Sequence, residues 1–191
     1  MVRALVTGSG DRVAEVADRL SAEGLEVLTA ADAAQLDDLD LDGPIDHYVQ
    51  LPVTVRPIGD TLVGRVRSFL SDGLLGRFAL VERVLPALAD GASVVLVSGN
   101  VPAGAALPDD QHSRLALLHV LAHATRAELA ARGVRVTVAS GSRTDLELVR
   151  FALRGGEDPA ARLVAEPSEQ ISAKQYEDWR TEVMGLVQAH G

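Results

Sequence analysis

A handful of residues in this chain could carry chemistry, and their spacing decides which. Ser98 closes an apolar run, 93–98, and opens a loop rich in glycine, proline and alanine. With His112 downstream, a serine–histidine nucleophile pair is conceivable, yet Ser98 lacks the Gly-x-Ser-x-Gly elbow that presents a nucleophilic hydroxyl. His119 and His123 stand four apart on a helical pattern, half of a zinc site in spacing. No glutamate lies between them and no third ligand is apparent, so no metal site is expected. With His112 they form one helical stripe, which reads as histidines at a helix–helix contact. Tyrosine occurs twice, as Tyr48 and Tyr176, and lysine once, as Lys174. A phenol titrating near 10 is a poor base at neutral pH without a neighbouring cation. The residues four beyond the two tyrosines are Pro52 and Arg180. The segment YEDWR, 176–180, spaces Tyr176 and Arg180 like a tyrosine–cation pair, and it is read as aromatic cover for an apolar surface.

The remaining composition narrows the class. The chain has 191 residues, 47% hydrophobic and 24% charged, which suits one folded domain. There is no cysteine, so disulfides, thiolate metal sites and a cysteine nucleophile are excluded. The formal net charge is −9, and an acidic surface disfavours nucleic acid and anionic lipid as partners. No apolar run approaches the ~20 residues needed to cross a bilayer. No targeting pattern opens the sequence, and a cytoplasmic location is expected.

Elements that would position these residues follow from periodicity. RALVT (3–7), EVLT (26–29), HYVQL (47–51), SVVLVS (93–98) and RVTVAS (135–140) read as buried strands, and 161–167 as a candidate sixth. Helical patterns cover 12–24, with Val13, Val16, Ala17 and Leu20 on one face, then about 60–88, 109–131 and 145–153. The acidic stretch 31–46 is too short and polar for a long helix. Continuous apolar strands alternating with helices predict a Rossmann-like three-layer α/β/α sandwich with a parallel sheet of about six strands. Residues 1–167 are expected to form this domain. Residues 168–191 are expected to form an amphipathic helix packed on it, with Trp179, Val183, Leu186 and Val187 on one face.

The order of these pieces resembles the short-chain dehydrogenases/reductases. ALVTGSG, RLSAEGLEV, IDHYVQLP, GRFALVERVLPAL with DGASVVLVS, and TRAELAARGVRVTVASG resemble successive stretches of that family over about 2–165. The resemblance implies an NAD(P) cofactor and a catalytic set of asparagine, serine, tyrosine and lysine. Ser98 matches the serine. The tyrosine position falls on Gln111, the lysine position on Leu115 and the asparagine position on Gly73. Gln111 cannot exchange a proton near neutral pH. The phosphate loop, T-G-x-x-x-G-x-G in the family, reads TGSGDRVA here. Gly8, Ser9, Gly10 and Arg12 are the cofactor-binding candidates, but Arg12 and Ala14 stand at the later glycine positions. Asp11 at a helix start repels phosphate, whereas Arg12 on the counter-reading grips one. Asp32 lies one residue past the position of a ribose-binding acid. The segment after 26–29 is too short for an adenine-side helix, and after VASGSRT the substrate-covering helices are omitted.

Three functions follow as expectations. The first is a catalytically inactive homologue serving as a structural or regulatory subunit, with the dinucleotide site lost. It would associate with itself or with a family paralogue through the fourth and fifth helices, using Leu115, Leu118, His119, Ala122 and His123. The second is an enzyme of this fold acting on a small metabolite by unusual or NAD(P)-dependent chemistry. The third is a ligand-sensing module that keeps a crevice without chemistry.

Overall fold

A computed structural model of the chain describes residues 1–8, 10–53, 58–68, 70–71, 75–100, 109–141 and 144–155, with backbone alone at 99–100, 109–117 and 140–141. Five strands form one parallel sheet: β1 (Arg3–Thr7), β2 (Glu26–Ala30), β3 (Ile45–Gln50), β4 (Leu88–Asn100) and β5 (Arg135–Gly141). Their order is β2-β1-β3-β4-β5, so the chain builds outward from β1 in one direction and then reverses. The candidate sixth strand at 161–167 and the helix expected within 168–191 lie outside the described residues.

Helices cover both faces, as strands buried on two sides require. On one face, α1 (Asp11–Ala22) and α6 (Asp145–Leu153) pack on Val6, Val49, Leu51, Val95 and Val97. The predicted stripe Val13, Val16, Ala17 and Leu20 is the buried side of α1. On the other face lie α2 (Ala33–Asp37), α4 (Gly76–Val84) and α5 (Asp109–Leu129), packed on Leu5, Tyr48, Val94, Leu96, Val136 and Val138. A further helix, α3 (Leu62–Ser68), buries none of its residues.

Two departures from the sequence reading have physical causes. Among the described residues, the helical pattern over 60–88 includes α3, α4 and a separate 3₁₀ turn at Leu85–Ala87. Leu88, read as helical, starts β4 opposite Ile45. A register shift then carries the pairing to His47 and Ser93, with Gly91 at a positive φ between the two paired stretches.

Candidate functional site

In a parallel α/β sheet the site lies at the strand C-termini, where the direction of strand order reverses. Here that point is between β1 and β3. Gly8 follows β1 at φ +148, and a Cβ built on it would lie 2.8 Å from the Leu51 Cβ. The Leu51 N–H donates to the Thr7 carbonyl at 2.7 Å, extending the pairing of β1 and β3 past their ends. Leu51 is fully buried. The close backbone approach that glycine permits at position 8 therefore accommodates a leucine side chain. Gly10 is the N-cap of α1, at φ +59, and no side chain caps this end. Ser9 lies outside the described residues.

Several sequence candidates are engaged elsewhere. Arg12 points toward α6, its Nε 3.5 Å from the Asp145 Oδ2. These two residues, with Glu15, Val16, Thr144 and Leu146, line a cleft of about 220 Å³ between α1 and α6. Burial raises the Asp145 pKa, opposed by Arg12 and reinforced by Glu15. This cleft borders the α1–α6 face; Ser98 lies where the register of β4 with β5 shifts between Val97 and Gly99. Asp32 is the N-cap of α2: its Oδ1 accepts the Gln35 N–H at 2.9 Å, and the Gln35 Oε1 accepts the Ala31 N–H at 2.9 Å. The carboxylate thus serves the helix start, as short acidic side chains commonly do.

Ser98 is half-buried, and its Oγ donates to the Ala139 carbonyl at 3.4 Å. Gln111 and Leu115 lie in the first two turns of the α5 backbone, and Gly73 lies outside the described residues. Tyr48 is fully buried within the sheet. Its hydroxyl meets Thr7 Oγ1 at 3.0 Å and accepts from Gln50 Nε2 at 3.2 Å. Burial pushes its pKa up to about 12, against downward pulls from those hydrogen bonds and from Arg77. A phenol so placed keeps its proton at neutral pH.

The expected contact residues on α5 divide between core and surface. Leu118 and Ala122, expected at an interface, are instead packed in the chain's own core with Leu121 and Leu129. His119 is buried and neither ring nitrogen has a hydrogen-bond partner among the described residues, whereas His123, one turn on, is exposed. The histidine stripe therefore straddles the boundary between core and surface. Arg126 holds α5 on the sheet by donating to the Val136 carbonyl at 2.9 and 3.0 Å. Among the described residues, no group of three histidine, aspartate or glutamate side chains is placed to hold a metal ion. None of the described helices is long and apolar enough to cross a membrane.

Gln50 and Arg77 were not singled out by the sequence reading. Gln50 is fully buried at the C-terminal end of the central strand β3, where its side chain accepts from the Arg77 side chain and donates to the Arg77 carbonyl. A polar amide ending an apolar strand was the available signal, because buried polar groups need partners.

No protein-family model matches the sequence, and no curated protein matches it. Solved structures do match. A short-chain dehydrogenase/reductase from Serratia marcescens superposes with a TM-score of 0.62 at 18% identity, covering 84% of this chain and 90% of that one. A protein from Listeria innocua gives 0.57 at 21% identity, covering 86% and 90%. A short chain dehydrogenase family protein from Francisella tularensis gives 0.55 at 17%, covering 81% and 75%. The fold is that of the short-chain dehydrogenases/reductases. In this short-chain dehydrogenase/reductase fold, dinucleotide contacts are expected from the loop after β1 and from an acid after β2. The described residues fit that set poorly. Gly8 is packed on Leu51, Asp11 places a carboxylate in the first turn of α1, Arg12 pairs with Asp145, and Asp32 caps α2.

Proposed function

We propose that this chain is a non-catalytic protein of the short-chain dehydrogenase/reductase fold that acts as a structural or regulatory subunit. The observation that carries the reading is the fate of its tyrosines. The tyrosine position of the catalytic set is Gln111 and the lysine position Leu115, while Tyr48 is sealed inside the sheet. Among the described residues, no tyrosine or lysine stands beside Ser98 to act as the usual general base. Dinucleotide binding is lost on this reading, since the acid and the basic residue that would hold it serve helix ends.

Association supplies the function. The protein pairs with a second copy or a paralogue of the same fold across α3, α4 and the outer face of α5. Leu62, Val63 and Val66 on α3 are 69%, 67% and 49% exposed, Leu70 and Leu75 follow, and Val120 on α5 is 59% exposed. Large aliphatic residues grouped this way favour burial against another apolar surface. With Leu118 and Ala122 in the core, Val120 and His123 are among the exposed residues of the described part of α5 available to a partner. Sedimentation velocity tests this: wild type sediments as a dimer or larger, and Val63→Asp with Val66→Asp shifts it to monomer with an unchanged circular dichroism spectrum. A wild-type monomer that also recovers no partner fold-mate on co-purification overturns the subunit reading.

Ser98, half-buried near a strand C-terminus, favours a second reading as an enzyme on a small metabolite. Turnover of a carbonyl or alcohol compound that is abolished by Ser98→Ala would establish it.

A further inference from the structure

The C-terminal ends of β3 and β4 carry a set of neutral acceptors that converge on one side chain. The Arg77 Nε donates to the Gln50 Oε1 at 2.8 Å. The same guanidinium donates from Nη2 to the Gln50 carbonyl at 3.4 Å and to the Val97 carbonyl at 3.2 Å. Gln50 is itself fixed, since its Nε2 donates to the Arg77 carbonyl at 3.1 Å and to the Tyr48 hydroxyl at 3.2 Å. Tyr48 is in turn tied to Thr7 on β1 at 3.0 Å. Thr7, Tyr48 and Gln50 are fully buried, so the acceptors are held in place by a network crossing β1 and β3 and meeting β4.

We propose that the ends of β3 and β4 form a guanidinium-binding site which Arg77 fills from within the chain. Three acceptors from two strands match the planar fork of a guanidinium, whose donors point outward in one plane. An ammonium is a compact point charge and cannot reach all three together. Among the described residues the acceptors include two backbone carbonyls and an amide oxygen, placed to suit the fork of a guanidinium. Its position explains its consequence. Val97 immediately precedes Ser98, and Arg77 lies in the first turn of α4. The chain thereby supplies its own cation beside the remnant serine and pins α4, with Leu80, Val81 and Val84, onto the sheet. The proposal does not depend on whether the chain catalyses a reaction.

Chemical rescue tests it. Arg77→Ala should melt roughly 5–10 °C below the wild type, from the loss of three contacts to a charged group in a domain of this size. Millimolar methylguanidinium should restore at least half of that loss, while sodium chloride at equal concentration should not. Melting of Arg77→Ala together with the wild type, or equal effects of methylguanidinium and sodium, overturns the proposal. Should Arg77→Ala fail to fold, the wild type gives a second readout. The Arg77 Nε–H resonance, assigned by its disappearance in Arg77→Lys, should exchange slowly with solvent; rapid exchange overturns the site.

Discussion

Tyr48 allows a test of what a tyrosine does in this protein. Its phenol is fully buried and hydrogen-bonded to Thr7 and Gln50. Burial raises its pKa from 10.0 to about 12. Between these two values the unfolded chain releases the phenol proton and the folded chain retains it. The stabilisation is therefore complete below pH 10 and is lost as the pH rises through the window. Two pH units at about 1.4 kcal/mol each give a loss of roughly 3 kcal/mol by the upper end. Tyr48→Phe removes this titration, at a cost of about 1–2 kcal/mol near neutral pH from the broken hydrogen bonds. Urea unfolding of both proteins at about pH 8, 10 and 11.5 measures the difference directly. The wild type should lose stability faster than the variant above pH 10, and the two curves should converge. Parallel loss would mean that the phenol titrates normally, which refutes its placement inside the network.

Three further outcomes are expected. Burial, assisted by Arg126, lowers the His119 pKa from 6.5, so stability is intact above that value and falls as the pH drops below it. His119→Leu should flatten the acid limb of a urea-derived stability curve, and an unchanged limb would place the acid sensitivity elsewhere. Gly8→Ala forces a Cβ into Leu51 at φ +148 and should cost about 1–3 kcal/mol or more. Gly10→Ala meets open space and should cost less; the reverse order in thermal melts would contradict the packing described. Asp32→Ala should cost about 1 kcal/mol through loss of the α2 cap, and a variant as stable as wild type would free Asp32 for another role.

The sheet and most helices were legible because their apolar positions repeat with the right period. The strand RALVT and the helix over 145–153 coincide with the observed bounds, and the buried face of α1 is the predicted one. Boundaries failed where one residue suits two states. Leu88 fits a helical stripe, yet β4 takes it because Ile45 offers a strand partner. The candidate site was less legible. Periodicity grouped Leu118 and Ala122 with His123, but only the packed structure separates the inward side of α5 from its outward side. The cross-links among Thr7, Tyr48, Gln50 and Arg77 join residues from three distant stretches of chain, and no local pattern encodes such a meeting. Asp32 shows the opposite case. A short acid directly after a strand and before a helix is a cap by local chemistry alone.

On the proposed reading, Gly8, Arg12 and Asp32 serve the protein's own packing and no dinucleotide is bound. Titration of the wild-type chain with NADPH, followed by nicotinamide fluorescence, tests that most directly. The account predicts a linear signal with no saturable component up to millimolar cofactor. Saturable enhancement with a dissociation constant in the micromolar range would contradict it.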